Sequence, residues 1–375
     1  MTDLRVSLHD MRRLKSLLTV FVLALPLGAQ APAALSDSAF ASLSARLSEA
    51  PGFFDTDNLI SNEDSYLHVI GTVRRVGVTG GAYLGVGPDQ NFSYIAAVRP
   101  RVAFLIDIRR DNLLEHLLFK SIFALSRDRL DYLCLLFGRP APADTAGWGA
   151  RDIAALLAYI DTVRGDSGAG TRTRSRVIDR VRRTAISLSD VDAATIGRFH
   201  LAFVTQGPAL RFNSLGRAPQ SYYPDYRQLL VETDRTGRQS SFLAHEVDFQ
   251  FVKSLEDRNL VIPVVGDLAG DKALAAIGDW VRSQGETVSA FYTSNVEQYL
   301  FADRSFDRFS RTVARLPRGP NSVMIRSYFR GGHPQSVAGY HATQLVQSLD
   351  RFVAVEAASG FGSYFALVTR ELIDP

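Results

Sequence analysis

Two glycines and one acid form the most specific chemical pattern in the sequence. Gly85 and Gly87 close a short apolar run, and Asp107 stands at the end of a second, Val102 to Ile108, twenty-two positions after Gly85. Glycine has no Cβ, so the main chain there can take positive φ and lie close against a ligand. A helix expected over Asn91 to Val98 aims its unpaired N–H groups and positive end at the same spot. A carboxylate at the end of the following strand can accept hydrogen bonds from both hydroxyls of a ribose. Strand, glycine turn, helix, strand, acid is the grammar of a nucleotide-binding βαβ unit. A purely structural account is also open, in which the glycines make a tight turn and Asp107 caps the helix beginning near Asp111.

Other chemistry-bearing residues divide into weaker groups. Glu63 lies in Ser61-Asn62-Glu63-Asp64-Ser65-Tyr66, which reads as a capped helix start leading into Tyr66 to Val73 and also as a source of groups above the glycine turn. His116 and Lys120 are four apart on a helix expected over Asn112 to Ala124, a solvated or satisfied pair. His245 and Glu246 are neighbours and do not share a helix face, which argues against a metal site. The single cysteine, Cys134, excludes an intramolecular disulfide framework and falls in an apolar run, so it reads as a buried thiol. Neither GxSxG nor HExxH occurs. Arg172 to Arg183 forms a basic helix, a solvated face or a contact for an anionic group. The tyrosines of Ser221 to Tyr226 suit either packing or a pocket wall.

The elements that must position these groups follow from hydrophobic patterning. Strands are expected at Asn259 to Val265, Thr287 to Tyr292 and Ser322 to Tyr328, alternating with helices at Lys272 to Ser283, from Val296, and over Tyr340 to Leu349. Two late runs, Phe352 to Ala358 and Tyr364 to Leu372, finish the chain, the last antiparallel at or near an edge. The fold class is therefore α/β, a doubly wound, mostly parallel sheet. A Pro-, Gly- and Arg-rich stretch divides it, giving an N-terminal part over 34–138, a helical insertion over 139–240 and a C-terminal part over 241–375. Arg12, Arg13 and Lys15 ahead of an uncharged run and Ala29-Gln30-Ala31-Pro32-Ala33 read residues 1–33 as a signal peptide, hence an exported, periplasmic protein, or a cytoplasmic one if translation starts elsewhere. The run is too short for an ordinary membrane span. With 42 basic and 39 acidic residues, charge gives no reason to expect nucleic acid as a partner.

The order Gly85-Val86-Gly87, Leu105-Ile106-Asp107-Ile108, Val265-Gly266-Asp267-Leu268 and Ala290-Phe291-Tyr292-Thr293-Ser294-Asn295 resembles the sequential motifs of class I S-adenosylmethionine-dependent methyltransferases. Ser61 to Tyr66 and Ser294 to Leu300 are also similar to an uncharacterised family of bacterial proteins of that Rossmann-like fold. The resemblance implies S-adenosylmethionine as cofactor: Gly85 and Gly87 pass under its methionine part, Asp107 holds the ribose, and Asp267 reaches the adenine amino group. Thr293 to Asn295 face an unknown substrate, whose nucleophile Glu63, Tyr292 and Asn295 orient. Two positions depart from the pattern, Tyr83 in place of an acid and Asp89 in place of a third glycine. They leave room for an exported binding or scaffold protein that keeps the sheet without the chemistry. A nicotinamide oxidoreductase is a further alternative, against which Gln90 stands at the third glycine of GxGxxG.

Overall fold

The apolar runs read as strands assemble into one seven-stranded sheet. The structure is a computed structural model; it describes residues 33–375 apart from positions 57, 164, 166, 217, 219 and 330. Residues 1–32 of the expected leader lie outside the described residues.

In chain order, α1 (Asp37–Leu47) precedes a loop and a 3-10 turn at Tyr66–Val69, which runs into α2 (Ile70–Val76). The first βαβ unit is β1 (Ala82–Gly85), α3 (Gln90–Val98) and β2 (Val102–Asp107). After it come α4 (Arg110–Leu125) and α5 (Arg129–Leu136). The described residues from there to Arg258 add α6 (Ile153–Thr162), α7 (Ser167–Arg183), α8 (Asp190–Gln206), α9 (Tyr226–Val231) and α10 (Glu246–Asp257), linked by short turns and bridges. Sheet grammar returns with β3 (Val261–Val265), α11 (Ala273–Ser283), β4 (Val288–Ser294), α12 (Val296–Ala302), α13 (Phe306–Ala314) and β5 (Arg318–Tyr328). The chain closes with β6 (Thr343–Ser348), α14 (Leu349–Ala358), α15 (Tyr364–Leu367) and β7 (Leu372–Ile373).

Strand order is β3-β2-β1-β4-β5-β6-β7. The first five are parallel, while β6 pairs antiparallel with β5 and β7 antiparallel with β6. From β1 the chain steps outward through β2 to β3, then returns to the other side of β1 with β4. That reversal falls at the carboxyl ends of β1 and β4, the place where open parallel sheets bind ligands. Because parallel βαβ crossovers are right-handed, the α3 and α4 connections are expected over one face and the α11 connection over the other. Helices on both faces explain why Val102 to Ile106 and Val261 to Val265 are buried without alternation.

Three expectations from patterning change in the structure. The helix expected over Tyr340 to Leu349 does not form; Thr343 to Ser348 is β6, hydrogen-bonded in register along β5 from Val323↔Ser348 to Tyr328↔Thr343. The run Phe352 to Ala358 belongs to α14, and in the last run only Leu372–Ile373 is strand. Helix α4 has the expected apolar residues, yet it is buried on all sides from Asn112 to Phe123. It packs on β2 and β3 and is covered by α7, α8 and α10. Lys120 finds partners inside, its Nζ reaching Glu256 Oε2 at 3.2 Å and the Glu256 carbonyl at 2.6 Å, whereas the side-chain amide of Asn112 has none among the described residues. Among the described residues no helix is long and apolar enough to cross a membrane.

Candidate functional site

The glycine turn is built from its own side chains. Gly87 has φ +80°, a conformation that favours glycine. Asn91, fully buried in the first turn of α3, donates from Nδ2 to the carbonyls of Val86 at 2.8 Å, Gly87 at 3.2 Å and Pro88 at 2.7 Å. Its Oδ1 accepts from the Tyr83 hydroxyl at 2.8 Å. On the far side of the turn, His116 Nε2 lies 2.9 Å from the Gly87 carbonyl. A carbonyl oxygen only accepts, so Nε2 carries the proton. Burial lowers the His116 pKa to about 4, and the ring is a neutral brace.

Gly85 ends β1 beside Tyr292 of β4 and Leu105 of β2. The space its missing side chain leaves is occupied: a Cβ there would lie 1.9 Å from Asn91 Oδ1 and 2.8 Å from the Tyr83 hydroxyl. Asp107 is at the carboxyl end of β2 as the sequence implied, with its carboxylate engaged by Arg109. Oδ1 accepts from the Arg109 N–H at 2.9 Å and Nε at 3.1 Å, and Oδ2 from Nη2 at 3.0 Å. Arg109 Nη1 in turn donates to the Thr56 carbonyl at 2.9 Å. Asp267 sits beyond β3, where Oδ1 accepts from the Ala269 N–H at 2.9 Å in a local turn. Three strand intervals separate β3 from β4, roughly 14 Å at the usual spacing, so Asp267 does not join the groups on β4.

Glu63 and Tyr292 do come together. Glu63 is 1% exposed, and Oε1 accepts from the Tyr292 hydroxyl at 2.6 Å and the Ser294 hydroxyl at 2.5 Å near the carboxyl end of β4. Oε2 accepts from Gln344 Nε2 at 3.1 Å, and Ser327 Oγ donates to Gln344 Oε1 at 2.8 Å. Gln90 Nε2 donates to the Tyr292 hydroxyl at 3.0 Å, tying the cluster to the start of α3. Burial raises the Glu63 pKa, outweighing the hydrogen bonds from Ser294, Ser327, Tyr292 and Gln344. Ser294 itself has φ +55° at the junction of β4 and α12, an uncommon conformation for a residue with a side chain. Asn295, next in the chain, is half-buried and only 3.4 Å from the Ser294 hydroxyl through Oδ1.

The stretch Ser61 to Ser65 is thus a docking segment more than a set of helix caps. Asp64 accepts from the His341 and Ala342 N–H groups at 2.7 and 2.9 Å, and Ser65 Oγ donates to the Ala342 carbonyl at 2.7 Å. These bonds hold Glu63 against the entry to β6. Ser294, expected to face the substrate, and Gln90, noted only as the residue at the third glycine position, join the cluster, and Ser327 and Gln344 complete it without having been singled out in the sequence. Gln344 was hidden by the helical reading of its segment; a glutamine beside the β-forming residues Thr343, Leu345 and Val346 was its available signal.

Asp89, in place of a third glycine, is buried and accepts from the Tyr226 hydroxyl of α9. Burial raises its pKa to about 7, the Tyr226 bond acting in the opposite sense. The folded pKa lies above the unfolded value of 3.8, so the proton favours the fold. That contribution is fully present below pH 3.8 and is lost as pH rises through 7. Glu256 is raised to about 7 as well and acts in the same window, so the difference between two chains isolates Asp89. Asp89→Asn is expected to gain on the wild type by up to about 1.4 kcal/mol per pH unit across that window. Urea midpoints measured at half-unit steps check this, and parallel curves would remove the assignment.

Next to Asp107 and Arg109 lies a cleft of about 420 Å³ at the carboxyl end of β2. Its wall includes Phe53, Phe54 and Phe199 with Arg109, Arg110 and Arg198. Phe53 is 77% exposed. Arg110 is bidentate to Asp192, at 2.8 and 2.9 Å, and Arg198 is 3.7 Å from Asp111. The chain is thus an α/β protein whose convergent polar groups and aromatic cleft lie at the carboxyl edge of a mostly parallel sheet. It belongs to the family defined as a domain of unknown function (DUF7790), whose model matches residues 59–143 and 210–361, more than half of the chain. No curated protein matches it.

Proposed function

We propose that the protein binds an adenosine-containing small molecule, S-adenosylmethionine or a relative, at the carboxyl edge of a methyltransferase-like Rossmann sheet. The observation that carries this is the cleft of about 420 Å³ beside Asp107, within one strand of the Gly87 turn and the β1/β4 reversal. Clefts of several hundred Å³ at such reversals are preferred ligand sites. Phe53, 77% exposed on the cleft wall, suits stacking of a flat base. A ribose diol would share the Asp107 carboxylate with Arg109. The strand order 3-2-1-4-5 and the antiparallel edge also support this reading.

Methyl transfer in such a site is mostly positioning, an in-line attack on a desolvated sulfonium. Glu63, with three donors converging on it and buried at the end of β4, favours a positive centre nearby.

A second reading, a binding or scaffold protein without chemistry, is favoured by the filled space at Gly85. There Tyr83 and Asn91 occupy the volume over which a ligand's methionine part would pass.

Isothermal titration of the full chain with S-adenosylmethionine and S-adenosylhomocysteine distinguishes the two. Binding is expected, and both Phe53→Ala and Asp107→Asn are expected to weaken it at least tenfold, about 1.4 kcal/mol. Heat-silent titrations with both ligands at millimolar concentration would leave the second reading.

A further inference from the structure

We propose that the cleft between α5 and α7 is a binding site for a small phosphorylated anion. This cleft, about 430 Å³, shares no lining residue with the one beside Asp107. Among the described residues of its wall are four arginines, Arg127, Arg139, Arg172 and Arg176, and a single carboxylate, Asp131.

The carboxylate is already neutralised. Arg127 grips it in bidentate fashion one helical turn away, Nε to Oδ2 at 2.5 Å and Nη2 to Oδ1 at 2.9 Å. Three further arginines, Arg139, Arg172 and Arg176, line the cleft beside it. Arg172 and Arg176 are spaced i, i+4 on α7, so both project from one helix face, where like charges repel. Arg176 makes no hydrogen bond or ion pair among the described residues. Arg139 is fixed in place: Nη1 donates to the Phe137 carbonyl at 2.8 Å, and a Cβ on Gly165 would lie 2.5 Å from that same nitrogen. Its Nε is buried with no acceptor. A buried donor left unpaired carries a desolvation penalty that an incoming oxyanion removes.

Guanidinium groups on opposing walls match the tetrahedral oxygens of a phosphate, which they bind in charge-assisted pairs. The cavity is concave and small, which fits a phosphorylated metabolite-sized molecule and not a duplex or a membrane surface. The two walls also differ in origin. Leu125 to Ala141 falls within the family match, whereas Arg172 and Arg176 lie in the unmatched stretch 144–209. The insertion therefore adds half of the site.

Calorimetric titration of the full chain with pyrophosphate and with inorganic phosphate, at constant ionic strength, tests this. Saturable pyrophosphate binding is expected. Arg139→Gln and Arg176→Gln should each weaken it at least tenfold, while Arg308→Gln, an exposed site on α13, should change it less than twofold. Circular dichroism identifies a variant that fails to fold. Absence of saturable binding by both anions overturns the proposal. So does binding that falls equally in Arg308→Gln, or capture only by anionic vesicles or nucleic acid that free pyrophosphate does not displace. None of these outcomes bears on adenosine binding at the other cleft.

Discussion

Arg326→Met is expected to destabilise the fold by about 3–5 kcal/mol. Arg326 and Glu297 form an ion pair at 2.8 Å with side chains 1% and 0% exposed, behind β4 and β5. Arg326 also donates to Gln347 Oε1 at 2.8 Å and lies over the Phe352 ring at 5.3 Å. Thr293 Oγ1 donates to Glu297 Oε1 at 2.9 Å. Removing the guanidinium leaves that single hydroxyl facing a buried carboxylate, and an uncompensated buried charge is far more costly than an exposed one. Methionine fills much of the volume, so the loss reports charge more than cavity. The double variant Arg326→Met with Glu297→Gln should recover at least half of it, because the orphaned charge is gone. Urea unfolding monitored by fluorescence measures both. A single variant within about 1 kcal/mol of wild type would mean that the pair is not buried as described.

Glu63→Ala ranks second. Three donors, from Tyr292, Ser294 and Gln344, lose their acceptor inside the protein. Leaving buried donors unpaired costs about 1–3 kcal/mol each, and relaxation of the linked hydroxyls limits the total to roughly 3 kcal/mol. Glu63→Gln keeps one acceptor oxygen and the shape, and should lose less than half as much. The same pair of variants separates stability from ligand chemistry. In Glu63→Gln the fold persists, and S-adenosylmethionine binding should weaken relative to S-adenosylhomocysteine, because only the former carries the positive sulfur that a carboxylate favours. Equal weakening of both would show that Glu63 serves the fold alone.

How much of this was readable beforehand depends on whether a residue's partners are local. The parallel part of the sheet was legible because β2 to β4 are buried on both faces and spell near-continuous apolar runs. Asp107 was placed at a strand end by the apolar run Val102 to Ile108, and β2 does end there. Its pairing with Arg109 was written two residues away and passed over, although an Asp-x-Arg at a strand exit is a short-range ion-pair signal. Strand β6 was misread because Gln344 and Gln347 interrupt its apolar pattern. Both are buried, and both are satisfied by residues 17 or more positions distant, Ser327 and Glu63 for one and Arg326 for the other. Local periodicity holds no record of such partners. Glu63 was named in the sequence as a cap or as a group above the glycine turn, but its true neighbours are 229 to 281 positions away, so a local reading could not name them.

The jacket that α7 and α8 place around α4 has an implication for relatives of this chain. The stretch 144–209, which supplies both helices, lies outside the family match. Phe119 of α4 rests edge-on against Phe203 of α8, with ring centres 5.9 Å apart. A shorter relative without those helices would present that phenylalanine to water. In such chains the outward rim of this central helix must turn polar or dock a second subunit, so the residue at position 119 should report whether the jacket is there.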